Sequence, residues 1–375
     1  MTNDKAQSEE SRGFIEILRL RLRMTNSENG IFRVALIIFT MATVAGLFAA
    51  VCLWPSRQEA VFYPMGGIPF RVVVYERSDY QFKGDMNAVK TRVEELEDAF
   101  NSYRPQSEIS QINRNAALGP VVMSEDMQRI FMEAKRFRDI TDGAFDISVG
   151  PLIRLWKEAG EKKELPTKNE IKKALASVGF DKVKLAEDGS ISYNNGMELG
   201  LGGIAKGDIV DQVASLLQQR GVKRGVVAAS GDIIAFGKGT FRFGIQDPTA
   251  KAGSRVIGEI EINAEAVVTS GNYERFIDIG GRKYSHIIDP RNGWPVDNEL
   301  VSVTVIGGSC IEADALATGL MVLGRERAIE VLRENPTFKA IFIEKDRDGF
   351  AVWVPKALEM QTHFESPWRN WVHHF

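Results

Sequence analysis

The sequence predicts an α+β chain carried behind a single membrane-spanning helix, and three observations lead there. Strand-like and helix-like periodicities are mixed, without the regular strand–helix–strand alternation of a doubly wound sheet. The segments FRVVVY, GVVAAS, VIGEIEI and VSVTVIG have the alternation or the β-branched run of strands. From Val34 to Trp54 the chain reads VALIIFTMATVAGLFAAVCLW, 21 residues without a charge. At a rise of about 1.5 Å per residue that length spans a hydrocarbon core of ~30 Å.

Taken in order, Arg19, Arg21, Arg23 and Arg33 precede the apolar run and only Arg57 follows closely. Positive charge stays inside, so the expectation is a single pass through the inner (cytoplasmic) membrane with the bulk on the periplasmic, extracytoplasmic side. The 33 residues before it are long for the charged region of a signal peptide, which favours an uncleaved anchor over a cleaved leader. Cys52 follows Ala49-Ala50-Val51, with valine where a lipidated cysteine ordinarily has a small residue, and reads as a buried membrane cysteine. Beyond a linker, Phe70–Tyr75 is expected as a strand. A helix follows, with Asp85 as N-cap and Val89, Val93, Leu96 and Phe100 on one face. Ser102–Arg114 reads as a loop. Ser124 caps a helix bearing Met127, Ile130, Phe131, Ala134 and Phe137. Thr167 and Glu170 form a capping box for a helix that Gly179 ends. Asp188-Gly189 and Gly280-Gly281 mark hairpins, and a third surrounds Asp346–Gly349. Helices are expected with Ile209, Val213, Leu216 and Leu217 inward, and from about Glu312 to Leu323.

Composition narrows the function. With 47 Lys+Arg against 50 Asp+Glu among 375 residues, the chain lacks the basic footprint that nucleic acid requires. Hydrophobic and charged shares of 44% and 26% are those of an ordinary globular chain. Two cysteines make neither a disulfide framework nor a zinc cluster. Of four histidines, His363, His373 and His374 lie near the C-terminus, leaving His286 alone in the body.

Four constellations bear chemistry. Asp314 and Thr318 are four residues apart in IEADALATGLMVLG, one above the other on a helix face, and supply the hard oxygens that Mg²⁺ prefers. Taken alone the pair is weak evidence, because an acid near a helix start more often compensates the dipole or caps the helix. LGLGGIAKGDIVD places Gly200, Gly202, Gly203 and Gly207 around Lys206 at the start of a helix, where bare backbone and orphan N–H groups suit a diphosphate. A tight turn with a solvated lysine is its plainer reading; neither a Walker loop nor GxGxxG is present. YSHIIDPRNGWPV sets His286 three residues before Asp289 in a turn stiffened by Pro290, Gly293 and Pro295, as a general base or a packed histidine. TDGAFDISVGP alternates Asp142, Phe145 and Asp146 in a way that suits a flat heterocycle, or a turn followed by a strand.

NSYRPQSEISQIN, TDGAFDISVGPL, LGGIAKGDIVD, SGDIIAFG, TSGNYERF, YSHIIDPRNG and ADALATGLMVLG occur in the same order as in the ApbE family, the FAD:protein FMN transferases, which the chain resembles from about Val61 to Lys345. The resemblance implies a T-fold-like α+β architecture with two lobes around a flavin cleft, FAD bound with Mg²⁺, and transfer of FMN to an acceptor threonine with release of AMP. It also implies an acceptor flavoprotein bearing an Asp-x-x-(Ser/Gly)-(Ala/Gly)-Thr motif. By the same resemblance Met65, Tyr103, Ala144, Phe145, Asp146, Lys206 and His286 contact the flavin nucleotide. Asp314 and Thr318 match metal ligands, and Gly203 matches a position that gives a further metal oxygen, here its carbonyl. His286 would act as base. Three departures stand out: Asn292 for threonine, Ser230 for glycine, and Gly203 where alanine, serine or threonine is frequent. An FAD pyrophosphatase, or a non-catalytic FAD-binding assembly protein, would use the same residues. The expected division is 1–33 cytoplasmic, 34–54 anchor, 55–60 linker, 61–355 transferase domain and 356–375 tail. In that tail Trp368, Trp371 and Phe375 either pack back or touch a membrane.

Overall fold

Two units divide the chain, Met1–Trp54 with Ser78–Tyr80, and Pro55–Arg77 with Gln81–Phe375. The computed structural model describes residues 37–41, 56–250, 254–272, 276–347 and 349–375. In the first unit, residues 37–41 are helical; the rest of the apolar stretch, with Cys52 and the arginines before it, lies outside the described residues. Among the described residues no helix is long and apolar enough to cross a membrane.

The second unit rests on a nine-stranded sheet whose order in space is its order in the chain: β1 (Ser56–Phe62), β2 (Phe70–Arg77), β3 (Gly225–Ala229), β4 (Asp232–Phe236), β5 (Ala266–Gly271), β6 (Leu300–Gly307), β7 (Lys339–Asp346), β8 (Gly349–Val354) and β9 (Val372–His374). Neighbours run antiparallel except β8 and β9, which are parallel. Between β2 and β3 come α1 (Asp79–Phe100), α2 (Glu108–Asn115), α3 (Glu125–Ile140), α4 (Gly150–Lys162), α5 (Lys168–Leu175) and α6 (Ala205–Gln219). Between β6 and β7 lie α7 (Cys310–Leu323) and α8 (Arg325–Glu334).

Every residue of β6 is buried, as expected of a strand covered on both faces. Its Val303 and Val305 join a core with Val89, Val93 and Leu96 of α1, Ile209 and Val213 of α6, and Leu316 and Leu320 of α7. Ile306 points the other way, into a second core with Phe241, Ile257 and Ile260 of a three-stranded sheet (Phe241–Gln246, Val256–Ile262, Thr362–Phe364). A third cluster joins Leu152 and Trp156 of α4, Ile171 of α5, and Ile279 and Ile288.

Ser124, the Thr167/Glu170 box and the three hairpins stand where periodicity and turn chemistry put them. Several expectations are corrected. Ser56–Phe62, read as largely linker, pairs with β2. Asp85 is no cap: α1 begins at Asp79, and Asp85 is buried inside it, held by Arg77 Nε and Arg220 Nε at 2.9 Å each. The supposed loop Ser102–Arg114 contains α2, capped by Ser107, whose hydroxyl accepts from Ser110 N at 3.2 Å. α5 ends at Leu175, before Gly179. The turn at Asp142-Gly143 leads into α4 rather than a strand. The C-terminal segment packs back. Phe375 N donates to Val354 O at 3.2 Å, its ring lies 5.8 Å from that of Phe342, and His373 stacks on Trp353 at 4.6 Å.

Candidate diphosphate and cation site

The glycine turn before α6 is held from both sides. Asn113, at the end of α2, accepts from Leu199 N at 2.8 Å and donates to Leu199 O at 2.9 Å, and Gly200 N donates to Ile147 O at 2.7 Å. α6 then opens with Ala205-Lys206-Gly207 without a cap from the side chain of Ile204; Ala205 N donates to Leu201 O at 2.9 Å, and the positive end of the helix dipole faces the turn. At Gly207 the helix runs against the start of α7 so closely that a Cβ would meet the backbone of Cys310 and Ile311. This bare contact brings α7 within reach. Asp314 Oδ2 accepts from Gly207 N at 3.3 Å and lies 3.5 Å from Lys206 Nζ, which donates to Asp232 Oδ2 at 2.7 Å. One turn along α7, Thr318 Oγ1 is 3.5 Å from Ser270 Oγ of β5 and 3.0 Å from where a Cβ on Gly203 would stand. Glycine at this departure from the family pattern leaves the threonine hydroxyl and the Gly203 backbone facing one another.

Asp232 and Asp314 are only 1% and 3% exposed. Burial acts against the Lys206 ammonium, but the two carboxylates outweigh it and hold its pKa above the usual lysine value. Burial, then the Asp314 charge, pushes Asp232 above the carboxylate range despite Lys206. With both carboxyl groups ionised the cluster would carry one negative charge beyond Lys206, and a bound cation would favour that ionised state against the burial that opposes it at Asp232. Among the described residues no three His, Cys, Asp or Glu side chains gather into a metal group. The oxygens of Asp314, Thr318 and Gly203 nevertheless fit a hard cation that completes its shell with water and phosphate.

Phe145 packs beside this cluster, between Gly203 and Gly319 of α7, its amide donating to Thr141 Oγ1 at 3.0 Å. Ala144 is buried next to it. The Asp146 carboxylate accepts from Ser148 N, Ser148 Oγ and Phe180 N at 2.8, 2.6 and 2.9 Å, so in this state it braces its own loop. Asp142, Gly143 and Asp146 share a cleft of about 380 Å³ with Pro290 and Arg291, which puts the TDGAFD and DPRNG segments on one cavity.

His286 is half-buried directly after the hairpin strand Arg282–Ser285 and at the base of the DPRNG turn. That turn is rigid: Asp289 N donates to Trp294 O and Gly293 N to Asp289 O, both at 2.8 Å, and Trp156 Nε1 donates to Gly293 O at 2.8 Å. Asn292, the departure from threonine, donates to Asp289 Oδ2 at 3.0 Å and accepts from Trp294 N at 2.8 Å, one donation and one acceptance that a hydroxyl also provides. Ser230, the departure from glycine, sits between β3 and β4 at φ +55°. Met65, at φ +52° in the β1–β2 loop, packs against the main core, and Tyr103 is 88% exposed beyond α1. The contacts above join Gly203, Lys206, Phe145, Asp314 and Thr318; Met65, Tyr103, Asp146 and His286 stand outside that set.

Sequence reasoning missed Asp232, Asn113 and Asp211. Asp232 lies in the SGDIIAFG block, yet a lone acid opening a strand carries no periodic signal. Asp211 of α6 accepts from Cys310 N at 2.9 Å and Ile311 N at 2.8 Å, and burial pushes its pKa up to about 7 against those two amides.

A model of the ApbE family matches residues 66–342. An FAD:protein FMN transferase of Klebsiella pneumoniae (strain 342) is 36% identical over 258 residues, 68% of this chain and 81% of that protein. One from Vibrio cholerae is 33% identical over 331 residues, 85% and 97% of the two chains. The solved flavin transferase ApbE from Vibrio cholerae superposes with a TM-score of 0.69 at 30% identity, covering 81% of this chain and 99% of that one.

Proposed function

This chain belongs to the ApbE family, and from that premise we propose that it is an FAD:protein FMN transferase, moving FMN from FAD to a threonine hydroxyl of an acceptor protein with Mg²⁺ as cofactor. The observation that carries the reading is the convergence of Lys206, Asp232, Asp314, Thr318 and the Gly203 backbone where α6 meets α7. A diphosphate suits this place: the positive end of the α6 dipole and the Lys206 ammonium neutralise its oxygens, while Asp232 and Asp314 fix the lysine in one position. Asp314, Thr318 and the Gly203 carbonyl would hold Mg²⁺, which would supply neutralising charge to the diphosphate.

In the transfer, the threonine oxygen forms a bond to the FMN phosphorus and the bond from that phosphorus to the AMP phosphate oxygen breaks. His286 takes the hydroxyl proton. AMP leaves with the electron pair of the broken bond. The acceptor is a flavoprotein presenting an Asp-x-x-(Ser/Gly)-(Ala/Gly)-Thr segment. The enzyme works on the extracytoplasmic side of the inner membrane, tethered by residues 34–54; the uncharged run and the arginines before it support this.

The test incubates the full-length chain in detergent with FAD, Mg²⁺ and an acceptor protein carrying that motif. Flavin fluorescence on the acceptor in a denaturing gel, with equimolar AMP, is expected. FMN and AMP without labelling would make the protein a pyrophosphatase, and retained FAD without AMP a binding protein; either overturns the proposal.

A further inference from the structure

An α-helix begins with N–H groups that have no partner within it, and a side chain at the N-cap ordinarily accepts from them. The N-cap of α7 does not. Ser309 has the extended backbone of a cap, at φ −134° and ψ 153°, but its hydroxyl donates to Glu312 Oε2 at 2.8 Å. The accepting group comes from another helix: Asp211 of α6 spans two amides, with Cys310 N on Oδ1 and Ile311 N on Oδ2. A carboxylate here also meets the positive end of the α7 dipole.

Asp211 follows Gly207 by four residues, so both lie on one face of α6. Along that face Gly207 touches the backbone of α7, and one turn later Asp211 clamps the same two residues, Cys310 and Ile311. Cys310, Asp314 and Thr318 are themselves spaced by four and form one row along α7. A helix free to slide along its axis would carry Asp314 and Thr318 past Lys206 and Gly203; the two-point attachment prevents that movement. We infer that Asp211 is a positioning residue for the transfer reaction: by holding the first turn of α7 on α6 it sets the register that places Asp314 and Thr318 opposite Gly203 and Lys206.

This rests on the cation reading proposed above, and the experiment separates the two. Asp211→Asn, Asp211→Glu and Asp314→Asn are made in the full-length chain. Asparagine keeps one acceptor oxygen but turns an NH₂ toward the second amide; glutamate keeps the charge at a longer reach. The first readout needs no cation: deuterium exchange of the peptide containing Cys310 and Ile311 in the metal-free protein, expected to quicken about tenfold in Asp211→Asn. The second is the Mg²⁺ concentration for half-maximal transfer, measured beside the rate at saturating Mg²⁺. Residues that orient metal ligands typically change affinity about 10–100-fold when replaced, so Asp211→Asn should raise half-saturation about tenfold, with a smaller fall in the saturated rate and partial rescue in Asp211→Glu. Should Asp211→Asn fail to fold, Asp211→Glu carries the same test with a shift of about threefold or more. A half-saturation unchanged in both Asp211 variants while Asp314→Asn shifts it would reduce Asp211 to a helix cap and overturn the inference. If Asp314→Asn leaves it unchanged as well, the cation reading falls and takes this inference with it.

Discussion

Replacing Gly207 with alanine probes the contact on which the site is built. A Cβ there would stand 2.6 Å from the carbonyl carbon of Cys310 and 2.8 Å from Ile311 N, against ordinary contacts of about 3.5–4.0 Å. These are backbone atoms, so no rotamer relieves the overlap and the first turn of α7 must shift by about 1 Å. Inserting a methyl into such a contact costs about 1–3 kcal/mol, and alanine's better helix propensity returns up to about 1 kcal/mol. Net destabilisation of about 1–2 kcal/mol follows, a fall of a few degrees in Tm for a chain of this size. The functional loss should be larger. A 1 Å displacement separates Asp314 from Lys206 and from Gly207 N, and misplacement on that scale lowers rates about 10²-fold. Calorimetry beside the fluorescent transfer assay measures both. Gly202→Ala, whose Cβ would meet nothing within 4 Å, is the control for stability. If Gly207→Ala keeps parental Tm and rate, the helices do not bear on one another as described.

Asp314→Ala should abolish Mg²⁺-dependent turnover; an unaltered rate at limiting Mg²⁺ would discard the metal assignment. His286→Ala should slow transfer well beyond its effect on FAD affinity, and equal losses in a titration and a single-turnover assay would contradict a base. At Ser230, glycine relieves a left-handed backbone costing about 1 kcal/mol while adding comparable unfolded-chain entropy, so Ser230→Gly should lie within about 0.5 kcal/mol of parent in urea unfolding. Ser230→Val should lose about 1–2 kcal/mol, and a Gly variant as damaged as the Val variant would mean that the hydroxyl matters rather than the strain. Asp211 gives a pH signature. Its folded pKa of about 7 exceeds the unfolded value of about 3.9, so between these limits the native state holds more protons and this group's contribution to stability falls as pH rises. Nearby Asp208, bonded to Arg129, and Glu312, bonded to Arg136, face Asp211 in both parent and variant, so the comparison isolates Asp211. Urea unfolding of parent and Asp211→Asn from pH 4 to 8 should therefore show the parent losing stability relative to the variant on the way up, and a parallel pair of curves would refute it.

What could be read from the sequence alone divides by the distance over which each signal acts. Ser124, the Thr167/Glu170 box and the turns at Asp188-Gly189 and Gly280-Gly281 complete their hydrogen bonds within a few residues, so residue type alone announces them. Asp85 looked like a cap because an acid ahead of an apolar stripe satisfies that local rule. Its partner Arg220 lies 135 residues away, and burial of the ion pair overrode the local preference. The same separation hid the site's framework. Lys206, Gly203, Asp314 and Thr318 were recognisable from motif order, but nothing near Asp232 in sequence announces Lys206, and Asp211 meets Cys310 across 99 residues. Ligand-facing groups sit in compact segments because a helix terminus or one helix face can present them together. The groups that hold those segments in register belong to whichever elements the fold brings alongside, and only the topology names them. Asp232, Asp211 and Asn113 are of this second kind: each fixes one segment to another, and each was invisible until the sheet order and the crossing of α6 on α7 were known.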